Sequence, residues 1–320
     1  MKLQNSYTII LQKGRKTLFF FSRVFLVLIL IFFGGTILCP DMIGFSQIIA
    51  DPIVKNPSSE FPCYVYVLQD FQQATPGAYP NYDQVIIDYT EIIQDFPDCA
   101  EAYSDRGCAY AAIGDYTHAI QDFNKSIKLN PNYYEAYRGR GFVYGKQEKY
   151  EEAIKDFEKA IKIKPKYAQA FHGQGIAYTK LGNYEKALEN FRKAIQNNPQ
   201  YAEAFNGRGI AYIQMEKYRQ ALNDFDKAIK FNSNYIEAIY NKGIAYKQQG
   251  NSEKAIEAFT QVIQIDSDYL EAYIERGYVY GELGKYKKAI EDCEKARNKN
   301  SKSQEAYLCI AKFKNIKGIY

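Results

Sequence analysis

One spacing limits what this chain can fold into more than any other feature: the sequence repeats itself every 34 residues. One column of that register reads Gly107, Gly141, Gly175, Gly209, Gly243 and Gly277. Three residues on, another reads Tyr110, Tyr144, Tyr178, Tyr212, Tyr246 and Tyr280. A third is Ala119, Ala153, Ala187, Ala221, Ala255 and Ala289. The fourth runs Phe123, Phe157, Phe191, Phe225 and Phe259 before Cys293 breaks it. Six units therefore occupy residues 100–303. A period of this length marks a stack of small supersecondary units in which each touches only its neighbours, not a globule around one core.

Within a unit the apolar spacing is helical twice over. Ala136, Tyr137, Gly141 and Tyr144 share one helix face, and Tyr150, Ala153, Ile154, Phe157, Ala160 and Ile161 make a second stripe. Short turns such as Leu181-Gly182-Asn183 separate the stripes, where glycine can take the left-handed cap. Each unit closes on Pro131, Pro165 or Pro199, or on Ser233, Ser267 or Ser301. Two amphipathic helices cannot bury both faces alone, so stacking must build the core.

The run Tyr137…Gly141…Tyr144…Ala153…Phe157…Ala160…Pro165 resembles the tetratricopeptide repeat, and six tandem copies carry the likeness. The resemblance implies an all-α fold, a right-handed superhelical solenoid of antiparallel helix pairs. One departure stands where the family often has Leu: Arg106, Arg140, Gln174, Arg208, Lys242 and Arg276. Their stems are expected to pack while their heads reach water. Ser252 replaces a column Tyr, and Cys293 and Arg297 weaken the sixth unit. Residues 63–99 read as a degenerate first repeat, with Tyr82, Val85, Tyr89, Ile92 and Pro97 one period ahead of the regular columns. Residues 304–320 read as a capping helix or a truncated seventh repeat.

Ahead of the repeats, residues 1–16 carry Lys2, Lys13, Arg15 and Lys16 and no acid. Residues 17–38 are apolar apart from Arg23, long enough for a transmembrane helix. The positive flank predicts a single-pass anchor with a cytoplasmic amino terminus and the repeats on the outer (periplasmic or lumenal) side. A cleaved signal peptide followed by secretion, a lipoprotein site at Cys39 and a buried core helix are the alternatives. Residues 39–62 read as a linker.

Motifs of chemistry do not accumulate. Gly139-x-Gly141 and its copies recur inside helices with no preceding strand, unlike a dinucleotide loop. The only two histidines, His118 and His172, lie in different units, so no metal or catalytic site is expected. Charge is balanced, 41 Lys+Arg against 37 Asp+Glu, which argues against nucleic acid. Carboxylates read as solvated helix faces, as Glu151 with Lys155. Cys108 and Cys293 stand in apolar columns and read as small core or groove residues, while Cys63 and Cys99 lie in irregular sequence where pairing is open. Asn124-Lys125-Ser126 falls mid-helix, a poor glycosylation site. No catalytic residue, cofactor or metal is expected, and the chain is not read as an enzyme.

The family resemblance further implies that first helices line a concave groove for extended or helical peptides. The columns that would face it are Ser104, Arg138, His172, Asn206, Tyr240 and Ile274, and, four residues on, Cys108, Phe142, Ile176, Ile210, Ile244 and Tyr278. Of these, Arg138, Phe142, His172, Ile176, Asn206, Ile210, Tyr240 and Ile244 are the candidate peptide-binding set. Helix starts carry Glu101, Glu135, Gln169, Glu203, Glu237 and Glu271, unlike the family's carboxylate clamp, so an apolar or aromatic segment suits the groove. The expected function is a membrane-tethered, non-catalytic interaction scaffold whose partners are proteins or peptides. The alternative is the recognition arm of an enzyme whose catalytic domain lies on another chain or is missing.

Overall fold

The computed structural model describes residues 81–317, and among these there are fourteen α-helices and no strand. α1 spans Tyr82–Asp95. Six pairs follow: α2 (Ala100–Ala112) with α3 (Tyr116–Leu129), α4 (Tyr134–Lys146) with α5 (Tyr150–Ile163), α6 (Ala168–Lys180) with α7 (Tyr184–Asn197). Then come α8 (Ala202–Gln214) with α9 (Tyr218–Phe231), α10 (Ile236–Gln248) with α11 (Ser252–Ile265), and α12 (Leu270–Glu282) with α13 (Tyr286–Lys299). α14 (Gln304–Lys317) closes the array.

Local chemistry sets these boundaries. Asp115, Asn183 and Asn251 cap second helices, each side-chain oxygen accepting from the backbone N–H three residues on. First helices end in a left-handed residue, supplied by Gly114, Gly182, Gly250 and Gly284. In two units the same position is Glu148 (φ 60°) and Glu216 (φ 58°), side chains that tolerate this region poorly.

Packing follows from one wedge per unit. Phe191 of α7 is fully buried between two glycines, and a Cβ added at Gly175 or Gly207 would lie 2.8 or 2.6 Å from its ring. One glycine belongs to the phenylalanine's own unit and the other to the next, so the ring is shared across the joint. Phe123 and Phe157 sit the same way. In the degenerate repeat, Tyr89 takes the phenylalanine position, and Asp105 of α2 stands where the second glycine would be and accepts the hydroxyl's hydrogen bond.

Every first helix packs on the second helices before and after it and touches the neighbouring first helices; second helices do not pack on one another. First helices therefore crowd along one side of the stack and second helices fan out along the other, which is the curvature of a solenoid.

Several expectations change. The arginine heads turn to buried carboxylates, and their side chains are only 12–19% exposed. Arg106, Arg140, Arg208 and Arg276 each grip an aspartate sixteen residues on (Asp122, Asp156, Asp224, Asp292) through two hydrogen bonds of 2.7–2.9 Å. Those aspartates are buried, so a set of carboxylates is core and not solvated face. Arg106 and Arg276 also donate to Thr90 and Thr260, sixteen residues back on the preceding second helix, and Arg140 donates likewise to Asn124. Each such guanidinium staples three helices.

Cys293 stays in the core but forms a disulfide with Cys309 of α14, with Cα atoms 5.9 Å apart. Phe313 of the same helix, 2% exposed, joins the same cluster and packs against Gly281 of α12, while the two sulfurs lie against Gly277. Cys99 is disulfide-bonded, and Cys63 lies outside the described residues. Among the described residues no helix is long and apolar enough to cross a membrane; the expected span at 17–38 lies outside them.

Candidate functional site

The crowded side of the array is built from α2, α4, α6, α8, α10 and α12, and the two expected columns of side chains run across it. The structure separates them by depth. Ser104, Asn206 and Ile274 are buried, and Arg138, His172 and Tyr240 are half-buried. Four residues on, Phe142 (48% exposed) and Ile176 (42%) stand open, flanked by half-buried Ile210, Ile244, Cys108 and Tyr278.

What covers the deeper column is a series of tyrosines at the starts of α4, α6, α8, α10 and α12, which the sequence reading did not single out. Four of them meet the groove residue twenty-nine positions earlier. The Tyr201 hydroxyl lies 3.3 Å from His172 Nδ1, with the rings 5.1 Å apart. Asn206 donates to the Tyr235 hydroxyl at 3.3 Å, and Tyr240 packs on Tyr269 at 5.3 Å. Arg138 hydrogen-bonds Tyr167. The signal was present in the register as Tyr133, Tyr167, Tyr201, Tyr235 and Tyr269, an aromatic every 34 residues just outside the helical stripe.

Burial dominates the electrostatics. It pushes His172 down to about 4, with a backbone group of Glu203 pulling weakly the other way. It pushes the Cys108 thiol up to about 12, which disfavours the thiolate. It raises the Asp105 carboxyl to about 8 against the opposing hydrogen bond from Tyr89; Glu135 and Glu101 add to the rise and Arg138 opposes it. Asp105 Oδ2 and Arg138 Nε have no hydrogen-bond partner. Lys247 and Glu275 form an ion pair at 2.8 Å farther along.

No three His, Cys, Asp or Glu side chains among the described residues are grouped to hold a metal. His118 lies on an exposed second-helix face, paired with Asp115, remote from His172. Asn124-Lys125-Ser126 is mid-helix, with Ser126 buried. Chemically, the face offers a shallow apolar row beside tyrosine edges, suited to gripping a side chain.

The tetratricopeptide-repeat model matches residues 100–133, 132–200, 202–235, 236–269 and 270–296, more than half of the chain. No curated protein matches the chain. Among crystal structures, the APC/C hetero-tetramer Cut9–Hcn1 is similar at TM-score 0.65 and 17% identity, over 73% of this chain and 46% of that one. PilW, a widely conserved type IV pilus biogenesis factor, is similar at TM-score 0.61 and 17% identity, over 65% and 97%. A protein from Parabacteroides merdae ATCC 43184 gives TM-score 0.56 and 24% identity, over 74% and 87%. These are likenesses of fold, and the chain spans less than half of the Cut9–Hcn1 chain that it matches. By its matched repeats and the helix pairs that carry them, the chain belongs to the tetratricopeptide-repeat family.

Proposed function

We propose that this protein is a non-catalytic scaffold that holds partner proteins by a short peptide or helix laid across the first-helix face. The observation that carries the reading is the open apolar row at Phe142 and Ile176, continued by Ile210 and Ile244 and edged by the tyrosines. Large apolar side chains exposed in a line mark an interaction surface better than the same residues scattered. An apolar or aromatic-bearing segment is the occupant, since the helix starts are acidic and would repel a carboxylate tail. A chain of the Cut9–Hcn1 hetero-tetramer shares the fold, a precedent for an array of this kind inside a protein assembly. Photocrosslinkers placed at Phe142 and Ile176 should capture partners that a crosslinker on the fanned second-helix side does not. Phe142→Asp with Ile176→Asp should abolish capture without shifting the thermal midpoint, and capture that survives both changes overturns the reading.

The scaffold is tethered through residues 17–38, with the amino terminus in the cytoplasm and the repeats on the outer side. Supporting this are the basic flank before Thr17 and the lack of any acid before Asp41. Protease added to spheroplasts should digest the repeats from outside. Repeats protected until lysis reverse the orientation, and repeats found soluble with a shortened amino terminus mean cleavage.

A further inference from the structure

On the fanned side of the array, five of the six units place a cation in the same notch. Arg106, Arg140, Arg208 and Arg276 occupy it with guanidinium groups, and Lys242 occupies it in the fifth unit, paired with Asp226 at 2.8 Å. The notch has aromatic walls from its own first helix. Arg140 lies 5.8 Å from the Tyr137 ring centre and 5.9 Å from that of Tyr144. Its floor is the aspartate sixteen residues on, and its far wall is the residue sixteen back.

The third unit keeps the notch and lacks the cation. Gln174 stands in the arginine column and Asn190 in the aspartate column, both buried. The aromatic walls remain, as Phe171 and Tyr178. Glu158 stands sixteen residues back as an exposed carboxylate, met only by the Gln174 amide at 3.4 Å. The Asn190 amide nitrogen donates to the Lys186 carbonyl, which leaves the side-chain oxygen as an acceptor. Glutamine is shorter than arginine, and a cleft of about 400 Å³ lies here, lined by these residues together with Ile161, Glu189 and the stems of Lys162, Lys186 and Lys193.

Lys186 and Lys193 lie over Tyr178 and Phe171 at 5.3 and 5.8 Å, but they do not stand in for the missing group. In the fourth unit Lys227 covers Phe205 at 5.7 Å while Arg208 lies 5.6 Å from the same ring. Outer lysine and inner guanidinium coexist elsewhere, so the inner position is what remains open. Lys193 is moreover tied to Glu189 at 2.6 Å.

We propose that this cleft receives the arginine side chain of a partner polypeptide, completing from outside the staple that the other units carry within themselves. The site lies on the opposite side from the apolar row and is independent of it. Planar stacking between two aromatic walls with oxygen acceptors at the end favours a guanidinium over the lysine ammonium that fills the fifth unit's notch. A partner can thus be held on both sides of the array at once.

The test uses the full chain in detergent with isoleucine δ1 methyls labelled, titrated with acetyl-Ala-Arg-Ala-amide and with its lysine and citrulline counterparts. Ile161, which lines the cleft, should show a saturable shift with the arginine peptide, a much weaker one with lysine and none with citrulline, while Ile176 on the opposite face stays still. Glu158→Gln should weaken binding several-fold. Gln174→Arg with Asn190→Asp rebuilds the pattern of the other units and should abolish the shift while raising the thermal midpoint. If the remaining isoleucine methyls show that this double variant has lost its fold, Glu158→Gln decides. No saturable shift at Ile161, an equal response to lysine, or an arginine response that Glu158→Gln leaves unchanged overturns the proposal.

Discussion

At the scale of single residues, the buried ion pairs set the sharpest expectations. Removing one partner of a desolvated pair strands the other, at a cost of ~3–5 kcal/mol, whereas replacing both by apolar groups costs far less. Arg140→Ala should therefore lower the unfolding midpoint much more than Arg140→Met with Asp156→Leu, as urea titration followed by circular dichroism would show. Asp105 and His172 give opposite pH responses. Asp105 holds its proton to about 8, while an unfolded aspartate releases it near ~3.9. Between those values the unfolded chain binds fewer protons, so the α1–α2 joint weakens as pH rises. His172 stays neutral to about 4 against ~6.5 unfolded, so the third unit weakens as pH falls through that interval. Going from pH 7 to pH 5 should slow hydrogen exchange in α1 and hasten it in α6, after correction for intrinsic rates. Asp105→Asn and His172→Phe should each flatten one response; a uniform change along the array would contradict both.

At the scale of elements, helix ends and pins are where small changes register. Glu216→Gly at a left-handed position should stabilise by up to ~1 kcal/mol, and Glu148→Gly similarly, while Gly182→Ala should cost about as much. The Cys293–Cys309 bond closes a short loop, for which the chain-entropy view gives ~3 kcal/mol. Reduction should speed exchange in α14 and leave α4–α10 unchanged; free thiols at both positions in the untreated protein would remove the pin. The helices themselves were plain in the sequence because period and stripe agree in every unit. The staples were harder to see, since an arginine beside a column glycine looks like a snorkelling surface residue. They become legible only when two columns sixteen apart are read together, where Arg with Asp gives way to Gln174 with Asn190 and to Lys242 with Ala258. Tyr89 with Asp105 is a further matched exchange, standing where three units have Phe with Gly. The tyrosines covering the groove fall just outside the apolar stripe, so periodicity alone passes over them.

At the scale of the whole molecule, stability is a sum over joints between neighbours. Phe191→Ala should cost ~3–5 kcal/mol, because its ring is lodged in two units at once. It should also split the array, so that α2–α5 and α10–α13 lose hydrogen-exchange protection at different denaturant concentrations, where the unaltered array melts from its ends. A single sharp transition in the variant would count against joint-by-joint stability.

The two reaches of each arginine decide which pieces of this chain are interchangeable. The bond sixteen residues forward stays inside a helix pair and travels with it; the bond sixteen residues back depends on whichever pair comes before. A pair copied elsewhere in the array would keep its own lock and inherit a stranger's latch. The fourth unit already shows the outcome: Arg208 keeps Asp224, but Arg192 stands where its rear acceptor would be, and it makes no rear bond. The order of the units is thus a property of this molecule, written in residues that look like ordinary surface charge.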